Sequence, residues 1–350
     1  MRISHVSPRA VVATLLTTAL TSAAAAAVTI VGGGPPELPF AIKYSYAVGA
    51  PGRSDGQLNE PTAVAFDPQG RLYVVDSRNV RVQRFDSRGF FETKFGRFGW
   101  EGEGLVSPRG IAVDQDLYVY VSDRERGLVH QYDNYGQYLK SFGQTEKVAS
   151  QFQYPAGLAM DNLGDLWVAD AGNHKIKRVS GAGDVTLEVG YYGTDLGKLN
   201  LPAGVAVDAQ GGLVVADTGN SRVEFFDRFG TATAAVADTP EGPFRNPSAV
   251  CLDARGNVFV ADTGNDRIVA LDPQGRFLCA YGKLGAGSKD LSHPAGLSFG
   301  PDGKLYVADT FNNLVKVFDV EYRKLERVEE PSPNTPPPPA PDDLGNPPEK

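Results

Sequence analysis

The chain has 350 residues and a net charge of −8, from 34 basic and 42 acidic side chains. An acidic protein has little nonspecific attraction for nucleic acid, so this balance argues against a nucleic-acid partner. The 40 glycines, 18 Phe and 14 Tyr favour many short strands joined by tight turns, and long amphipathic helices are not evident.

Residues 1–27 have the pattern of an export signal. Two arginines flank an apolar run that is diluted by threonine, and a row of alanines then offers small residues for cleavage. We predict an exported protein, periplasmic or extracellular, in which residues 28–39 form a linker. The alternative is an N-terminal membrane anchor that continues through Val31. After cleavage we expect no membrane span.

The following part of the chain repeats one unit six times. Each copy has an aspartate 15 residues after a proline, and successive aspartates are 47, 47, 47, 45 and 47 residues apart. The proline and aspartate pairs are Pro61 and Asp76, Pro108 and Asp123, Pro155 and Asp170, Pro202 and Asp217, Pro247 and Asp262, and Pro294 and Asp309. A fixed period of this length is the signature of a repeat architecture.

Each unit predicts four short strands. In the fourth copy an apolar strand follows Pro202, a turn from Asp208 to Gly211 leads into a second strand, and that strand ends at Asp217. A third and a fourth apolar stretch complete the unit. Twisted four-stranded sheets leave apolar faces that only a neighbouring sheet can cover, and six of them close into a ring. The sequence therefore predicts an all-β six-bladed β-propeller of four-stranded antiparallel blades.

Two recurring features of the unit are assigned to structure. Five copies have an aromatic residue three positions before the aspartate: Tyr73, Tyr120, Trp167, Phe259 and Tyr306. Because these residues lie mid-strand among Val and Leu, we expect them to pack between neighbouring sheets. After Asp217 come Asn220 and Arg222, whose side chains can reach back to the carboxylate. We interpret this repeated set as a clasp that fastens each blade.

These residues resemble the NHL-repeat family, most clearly at residues 200–207 and 213–223. The resemblance extends from about residue 40 to residue 320. It implies a six-bladed propeller of the kind used mainly as a binding platform. It says little about molecular activity, because one fold hosts many functions.

The N-terminal strand is expected to close the ring. Gly49 matches the glycine that ends the fourth strand in other copies, so residues 40–48 form a fourth strand without three strands before it. The last copy lacks that fourth strand, and we predict that residues 40–48 supply it, with residues 325–329 as the alternative. The propeller then spans residues 40–330. Residues 331–350 include nine prolines and predict a solvated, partly extended tail.

The two cysteines are predicted to be buried free thiols. Cys251 occupies a small-residue position of the first strand, and Cys279 lies in the fourth strand of the same copy. Two intervening strands separate them by about 14 Å, which exceeds the roughly 7 Å that a disulfide can bridge.

The first strand of each blade should line the central channel. The lining triplets are Thr62-Ala63-Val64, Arg109-Gly110-Ile111, Ala156-Gly157-Leu158, Ala203-Gly204-Val205, Ser248-Ala249-Val250 and Ala295-Gly296-Leu297. They contain no carboxylate and no histidine. A calcium-dependent lactonase would need acidic or amide oxygens in the channel, and an amidating lyase of NHL type would need metal-binding histidines there. We therefore expect no metal and no cofactor, and His130, His174 and His293 fall in three different blades.

Blades six, one and two depart from the repeat in their loops. Blade two has Arg124, Glu125 and Arg126 where other copies have Gly and Asn. The candidate binding residues are Arg78, Arg97, Trp100, Arg109, Arg124, Arg126 and Phe311, with Tyr191 and Tyr192 as a second contact. Arg and Trp are common in binding hot spots, so these residues predict an anion- or protein-binding arc. Repeat drift that tolerates charged, solvated loops is the alternative.

The leading hypothesis is a noncatalytic exported propeller that binds or scaffolds a partner, probably a protein, in the cell envelope or outside the cell. The main alternative is an enzyme: a metal-dependent lactonase or other hydrolase, or a lyase of NHL type. A carbohydrate-binding module that uses Trp100, Tyr191 and Tyr192 is the third hypothesis.

Overall fold

Six four-stranded antiparallel sheets form a ring in the computed structural model, which describes residues 40–143 and 151–322. The chain begins with β1 (Phe40–Val48) and the short parallel pair β2 (Ala50–Pro51) and β3 (Gln57–Leu58). Blade one consists of β4 (Pro61–Phe66), β5 (Leu72–Asp76), β6 (Arg81–Phe85) and β7 (Phe91–Phe95). Blade two consists of β8 (Pro108–Val113), β9 (Val119–Asp123), β10 (Leu128–Tyr132) and β11 (Tyr138–Phe142). Blade three consists of β12 (Pro155–Met160), β13 (Leu166–Asp170), β14 (Lys175–Val179) and β15 (Val185–Val189).

Blade four consists of β16 (Gly204–Val207), β17 (Leu213–Asp217), β18 (Arg222–Phe226) and β19 (Ala232–Val236). Blade five consists of β20 (Pro247–Leu252), β21 (Val258–Asp262), β22 (Arg267–Leu271) and β23 (Phe277–Tyr281). Blade six consists of β24 (Pro294–Phe299), β25 (Leu305–Asp309) and β26 (Leu314–Tyr322) together with β1. Short 3-10 turns follow the second strand at Ser77–Asn79, Ala171–Asn173, Thr218–Asn220, Thr263–Asn265 and Thr310–Asn312. Among the described residues, no helix is long and apolar enough to cross a bilayer.

The ring is closed by β1. This strand pairs antiparallel with β26, so that Ile42 lies opposite Val320 and Val48 lies opposite Val315. The prediction that an N-terminal strand completes blade six is confirmed, and β1 occupies the place that residues 325–329 would have taken. Residues 325–329, the export signal, the linker and the tail lie outside the described residues.

The hydrophobic core lies between neighbouring blades. Tyr73 of blade one is buried in a cluster that includes Ile111 and Tyr132 of blade two. Phe259 of blade five similarly packs in a cluster with Leu297 of blade six. All five mid-strand aromatic residues are buried, which confirms that they pack between sheets. Each blade therefore depends on its neighbour to cover its apolar face.

The clasp is confirmed in its main features. The carboxylate of Asp262, buried like the other five repeat aspartates, accepts hydrogen bonds from Arg267 Nε at 2.7 Å and from Asn265 Nδ2 at 2.8 Å. It also accepts one from the backbone N–H of Arg245 at 2.7 Å. Because Arg245 precedes the first strand, one aspartate fastens the connection into the blade to the connection between strands two and three.

The cation of the clasp varies between blades. Arg81, Arg222 and Arg267 serve blades one, four and five. In blades three and six the ion pair is made from two positions further along the third strand, by Lys177 and Lys316, each 2.9 Å from its aspartate. The prediction that an arginine binds the clasp aspartate therefore holds for three blades. In two others a lysine, two positions further along the third strand, takes the place of the arginine.

Both cysteines are free, as predicted. Cys251 lies in β20 and Cys279 in β23, with β21 and β22 between them. Burial raises the pKa of the Cys279 thiol to about 12. The prediction that Cys251 is also buried is wrong in part, because its position on β20 borders a channel cavity and leaves it half-buried.

Candidate functional site

The central channel is narrow because the first strands of adjacent blades approach closely. At Gly110, Gly157, Gly204 and Gly296 an added Cβ would lie 2.2, 2.6, 2.7 and 2.5 Å from an atom of the next blade's backbone. Such distances leave no room for a side chain on that side. The glycines of the first strands therefore set the width of the channel.

One mouth of the channel holds a cavity of about 280 Å³. All six predicted triplets of the first strands line it, which confirms their assignment to the channel. The cavity has one further lining residue, Arg124, which sequence reasoning placed on the rim and not inside the channel.

Arg124 enters the channel at a position where other blades use a hydroxyl. In four blades the residue after the clasp aspartate donates from its hydroxyl to the carbonyl of the next repeat proline: Ser77 to Pro108 at 2.8 Å, Thr218 to Pro247 at 2.6 Å, Thr263 to Pro294 at 2.7 Å and Thr310 to Pro61 at 2.8 Å. Blade three has Ala171 at this position. In blade two Ser122 takes over, since its Oγ donates to the Ala156 carbonyl at 2.6 Å. The junction between blades two and three therefore has a hydroxyl-to-carbonyl hydrogen bond that does not involve Arg124.

This hydroxyl link is a structural feature that the sequence analysis missed. The recurrence of Ser or Thr directly after the aspartate in four copies is the pattern that could have revealed it.

Arg109 and Arg124 form the positive part of the cavity wall. No carboxylate is present among the lining residues. Desolvation at the channel mouth, and then the like charge of Arg124, lower the pKa of Arg109, and the carboxylates of Glu60 and Glu125 oppose this shift in part. The Arg124 guanidinium lies over the ring of Tyr154, with 5.1 Å between Cζ and the ring centroid. Two guanidinium groups thus share one small cavity.

The other three arginines of the candidate arc are engaged by neighbouring groups. Arg78 lies 3.7 Å from a carboxylate oxygen of Glu60, and Arg97 lies 2.7 Å from one of Glu103. Arg126 donates to the carbonyls of the loop at residues 102–104. The structure therefore separates Arg109 and Arg124, which face the cavity, from arginines that fasten the surrounding loops.

The face of the propeller that carries this mouth exposes large apolar side chains. Phe98 is 65% exposed, Trp100 62% and Phe311 54%. Phe98 and Trp100 lie in the connection from blade one to blade two, and Phe311 lies between strands two and three of blade six. Both kinds of connection end at the same edge of the blades, so the three residues share one face of the propeller.

Tyr191 and Tyr192 lie on the same face, in the connection from blade three to blade four. Both are exposed, and local partners flank them: Lys198 Nζ is 5.6 Å from the Tyr191 ring centroid, and the His174 ring is 4.8 Å from that of Tyr192. Blades three and four are not part of the group formed by blades six, one and two. The two tyrosines therefore form a separate exposed pair.

The opposite mouth of the channel has the opposite charge. Its cavity, of about 630 Å³, is lined in part by Asp114, Asp116 and Asp161. Asp114 and Asp161 are held by local hydrogen bonds, from Tyr120 Oη and Trp167 Nε1, each at 3.0 Å. The channel is therefore polarised, with arginine at one end and aspartate at the other.

The histidines lie apart, as the sequence predicts. His130 is buried in β10 of blade two, His174 follows a 3-10 turn of blade three, and His293 precedes Pro294 of blade six. Within residues 40–143 and 151–322, no group of three or more His, Cys, Asp or Glu side chains is arranged to hold a metal ion. The described residues thus offer no preformed metal centre.

Known structures of related shape include enzymes and a protein of unknown function. A streptogramin B lyase superposes with a TM-score of 0.57 at 14% identity, covering 81% of this chain and 98% of the lyase. A gluconolactonase from Xanthomonas campestris gives 0.57 at 16% identity, covering 79% and 98%. A Bacteroides thetaiotaomicron protein of unknown function gives 0.63 at 17% identity, covering 81% and 76%. At these identities the likeness shows the fold alone.

Sequence relationships are more specific. The protein brain tumor of Drosophila melanogaster is 39% identical over 56 residues, which cover 16% of this chain and 5% of that protein. The NHL repeat family matches residues 58–85, 152–178, 199–226, 244–271 and 291–318. These five segments fall in blades one, three, four, five and six of the closed ring, and the chain is therefore an NHL-repeat protein with a six-bladed β-propeller fold.

Proposed function

We propose that this propeller is a noncatalytic binding or scaffolding module that recognises a protein partner in the cell envelope or outside the cell. The observation that carries the proposal is the exposure of Phe98, Trp100 and Phe311 on one face of the propeller, the face that also carries the arginine-lined mouth. Exposed apolar side chains among charged groups are typical of protein-binding surfaces, and aromatic and arginine residues contribute most of the energy at such surfaces. The export pattern of residues 1–27 supports the location.

The proposal is tested by capture of partners from envelope and secreted fractions with the purified protein. Phe98→Ser, Trp100→Ala and Phe311→Ser, combined in one variant, should abolish capture of a partner that the wild type retains. A matched variant carries Phe90→Ser, Tyr135→Ser and Phe229→Ser, which remove three aromatic residues of equal or greater exposure from the opposite face. It should capture the partner normally.

Three outcomes would contradict the proposal. They are retention of every partner by the first variant, equal loss with both variants, and a tightly held calcium or zinc ion in the purified protein that supports hydrolase or lyase activity. Binding to a glycan array that depends on Trp100, Tyr191 and Tyr192 would instead support a carbohydrate-binding module.

A further inference from the structure

The arginine mouth of the channel differs from the rest of the face in its balance of charge. Its wall holds two guanidinium groups and no carboxylate, although the whole chain carries a net charge of −8. The remaining lining residues are Gly, Ala, Val, Ile and Leu together with the hydroxyls of Thr62 and Ser248. Positive charge that is concentrated in a cleft with apolar walls attracts anions strongly, because the walls focus the field.

The two guanidinium groups are available to a ligand. Among the described residues, the side chains of Arg109 and Arg124 make no hydrogen bond or ion pair, and the Arg124 guanidinium lies over the Tyr154 ring. Each guanidinium carries five N–H donors in a planar fork that matches the two oxygens of a carboxylate or phosphate. The hydroxyls of Thr62 and Ser248 already donate to the carbonyls of Arg109 and Ala295, at 2.9 and 3.0 Å. The free donors at this mouth therefore belong to the arginines.

The backbone that carries Arg109 is fixed before any ligand binds. The Thr62 hydroxyl of blade one holds the Arg109 carbonyl, and the backbone N–H of Gly110 donates to Ser122 Oγ at 2.7 Å. The ring of Tyr154, which directly precedes blade three, lies against the Arg124 guanidinium. A site whose groups are already positioned loses less conformational entropy when it binds.

Like charges in one cavity also favour an anion. Desolvation and the charge of Arg124 lower the pKa of Arg109 by more than the carboxylates of Glu60 and Glu125 raise it, which means that the charged form of Arg109 is held at a cost. An anion placed between the two guanidinium groups would offset the repulsion between Arg109 and Arg124.

We propose that the channel mouth between Arg109 and Arg124 binds a small organic anion through a carboxylate or phosphate group, with its carbon skeleton against the apolar channel wall. The cavity of about 280 Å³ has room for about nine waters at roughly 30 Å³ each, and so for a ligand with a similar number of non-hydrogen atoms. The aspartates of the opposite mouth repel such a ligand, so that binding is confined to one end. A small anion would bind whether or not a protein partner docks on the rim.

Titration calorimetry on the mature protein at low ionic strength tests this proposal, with succinate and glycerol 3-phosphate as the two probes and glycerol as the uncharged control. We expect saturable one-site binding of at least one anion, and no binding of glycerol. Loss of a charge-assisted contact should weaken binding by roughly tenfold or more in Arg109→Gln and in Arg124→Gln. A carboxylate preference and a phosphate preference are distinguished by which probe binds.

The matched controls are Arg78→Gln and Arg97→Gln, which remove arginines of the same face that are already paired with carboxylates. They should leave the Kd unchanged. Arg109→Lys and Arg124→Lys keep the charge and lose the planar fork, and they provide folded variants if a glutamine variant is unstable. No binding of either anion to the wild type, or equal binding by all variants, would overturn the proposal.

Discussion

At the scale of single residues, one buried carboxylate per blade is held by different cations in different blades. An arginine at the start of the third strand holds Asp76, Asp217 and Asp262, whereas a lysine two positions later holds Asp170 and Asp309. The amine and the guanidinium approach the same oxygen because both positions face the same connection. The aspartate could be predicted because it recurs in all six copies. The residue that supplies the cation could not, because side chains at two positions of the third strand can reach the carboxylate.

We predict that Asp262→Asn destabilises the fold by about 3–5 kcal/mol, because it leaves the buried Arg267 without its anion. The other partners of Arg267 are the carbonyls of the loop at residues 241–243, which carry no full charge. Denaturant unfolding followed by tryptophan fluorescence or circular dichroism measures the change. The control is Glu103→Gln, which breaks the exposed pair with Arg97 and should cost less than about 1 kcal/mol. Equal losses in the two variants would contradict a structural role for the clasp.

In blade two the clasp has a third form. His130 Nε2 lies 3.8 Å from Asp123, and Ser141 Oγ lies 3.1 Å from His130 Nδ1. Burial raises the pKa of Asp123, but the nearby His130 ring and the hydrogen bonds from the backbone N–H groups of Ser107 and Val106 outweigh it and lower the pKa. Blade two thus keeps the aspartate and its backbone donor at Val106, and it replaces the side-chain cation.

At the scale of elements, β1 decides whether the ring is complete. Without it, the nine-residue strand β26 would expose a row of unpaired backbone groups at the edge of blade six. Ile42 and Val48 of β1 are buried against neighbouring strands, so the strand also contributes to the core between blades. The N-terminal strand is therefore part of the C-terminal repeat in three dimensions.

We predict that deleting residues 28–48 lowers the Tm sharply, because blade six loses both its outer strand and its buried side chains. The point variant Ile42→Ala should reproduce part of the effect, at about 2–5 kcal/mol. Lys43→Ala is the matched control, since Lys43 is the exposed neighbour that pairs with Glu321 on the surface. Thermal unfolding of the three proteins provides the comparison, and an unchanged Tm after the deletion would rule out closure by β1.

At the scale of the whole molecule, the close approach of the first strands creates a single polarised channel. Gly296 stands where blade six meets blade one, and a Cβ there would lie 2.5 Å from the Thr62 carbonyl oxygen and 2.7 Å from Ala63 Cα. The glycine therefore lets the last blade contact the first. The same closure makes blades six, one and two neighbours, so that the loops in which they depart from the repeat lie side by side on one face.

We predict that Gly296→Ala destabilises the propeller by about 1–3 kcal/mol, because the added methyl group forces blades six and one apart. Gly181→Ala is the control, since nothing lies within 4 Å of a Cβ at that surface turn. It should leave stability unchanged or raise it slightly, because alanine restricts the unfolded chain. Denaturant unfolding distinguishes the two, and a neutral Gly296→Ala would mean that the blade junction can relax.

The sequence by itself determined the number of blades, the strands of each blade, the triplets that line the channel and the strand that closes the ring. It could do so because a fixed period gives every residue a register, and register sets the strand and face on which a residue lies. The Gly49 match, for example, was enough to assign β1 to blade six before any contact was known.

Only the tertiary structure decided which candidate residues are free to bind. Arg97 and Arg124 look alike in sequence, but Arg97 meets Glu103, whereas Arg124 meets Tyr154 of the next blade and turns into the channel. The connections between strands have no fixed period, so the direction of their side chains depends on which groups the neighbouring blade presents. For that reason the architecture follows from the repeat, while the candidate anion pocket appears only when the ring is closed and the first strands of all six blades surround Arg109 and Arg124.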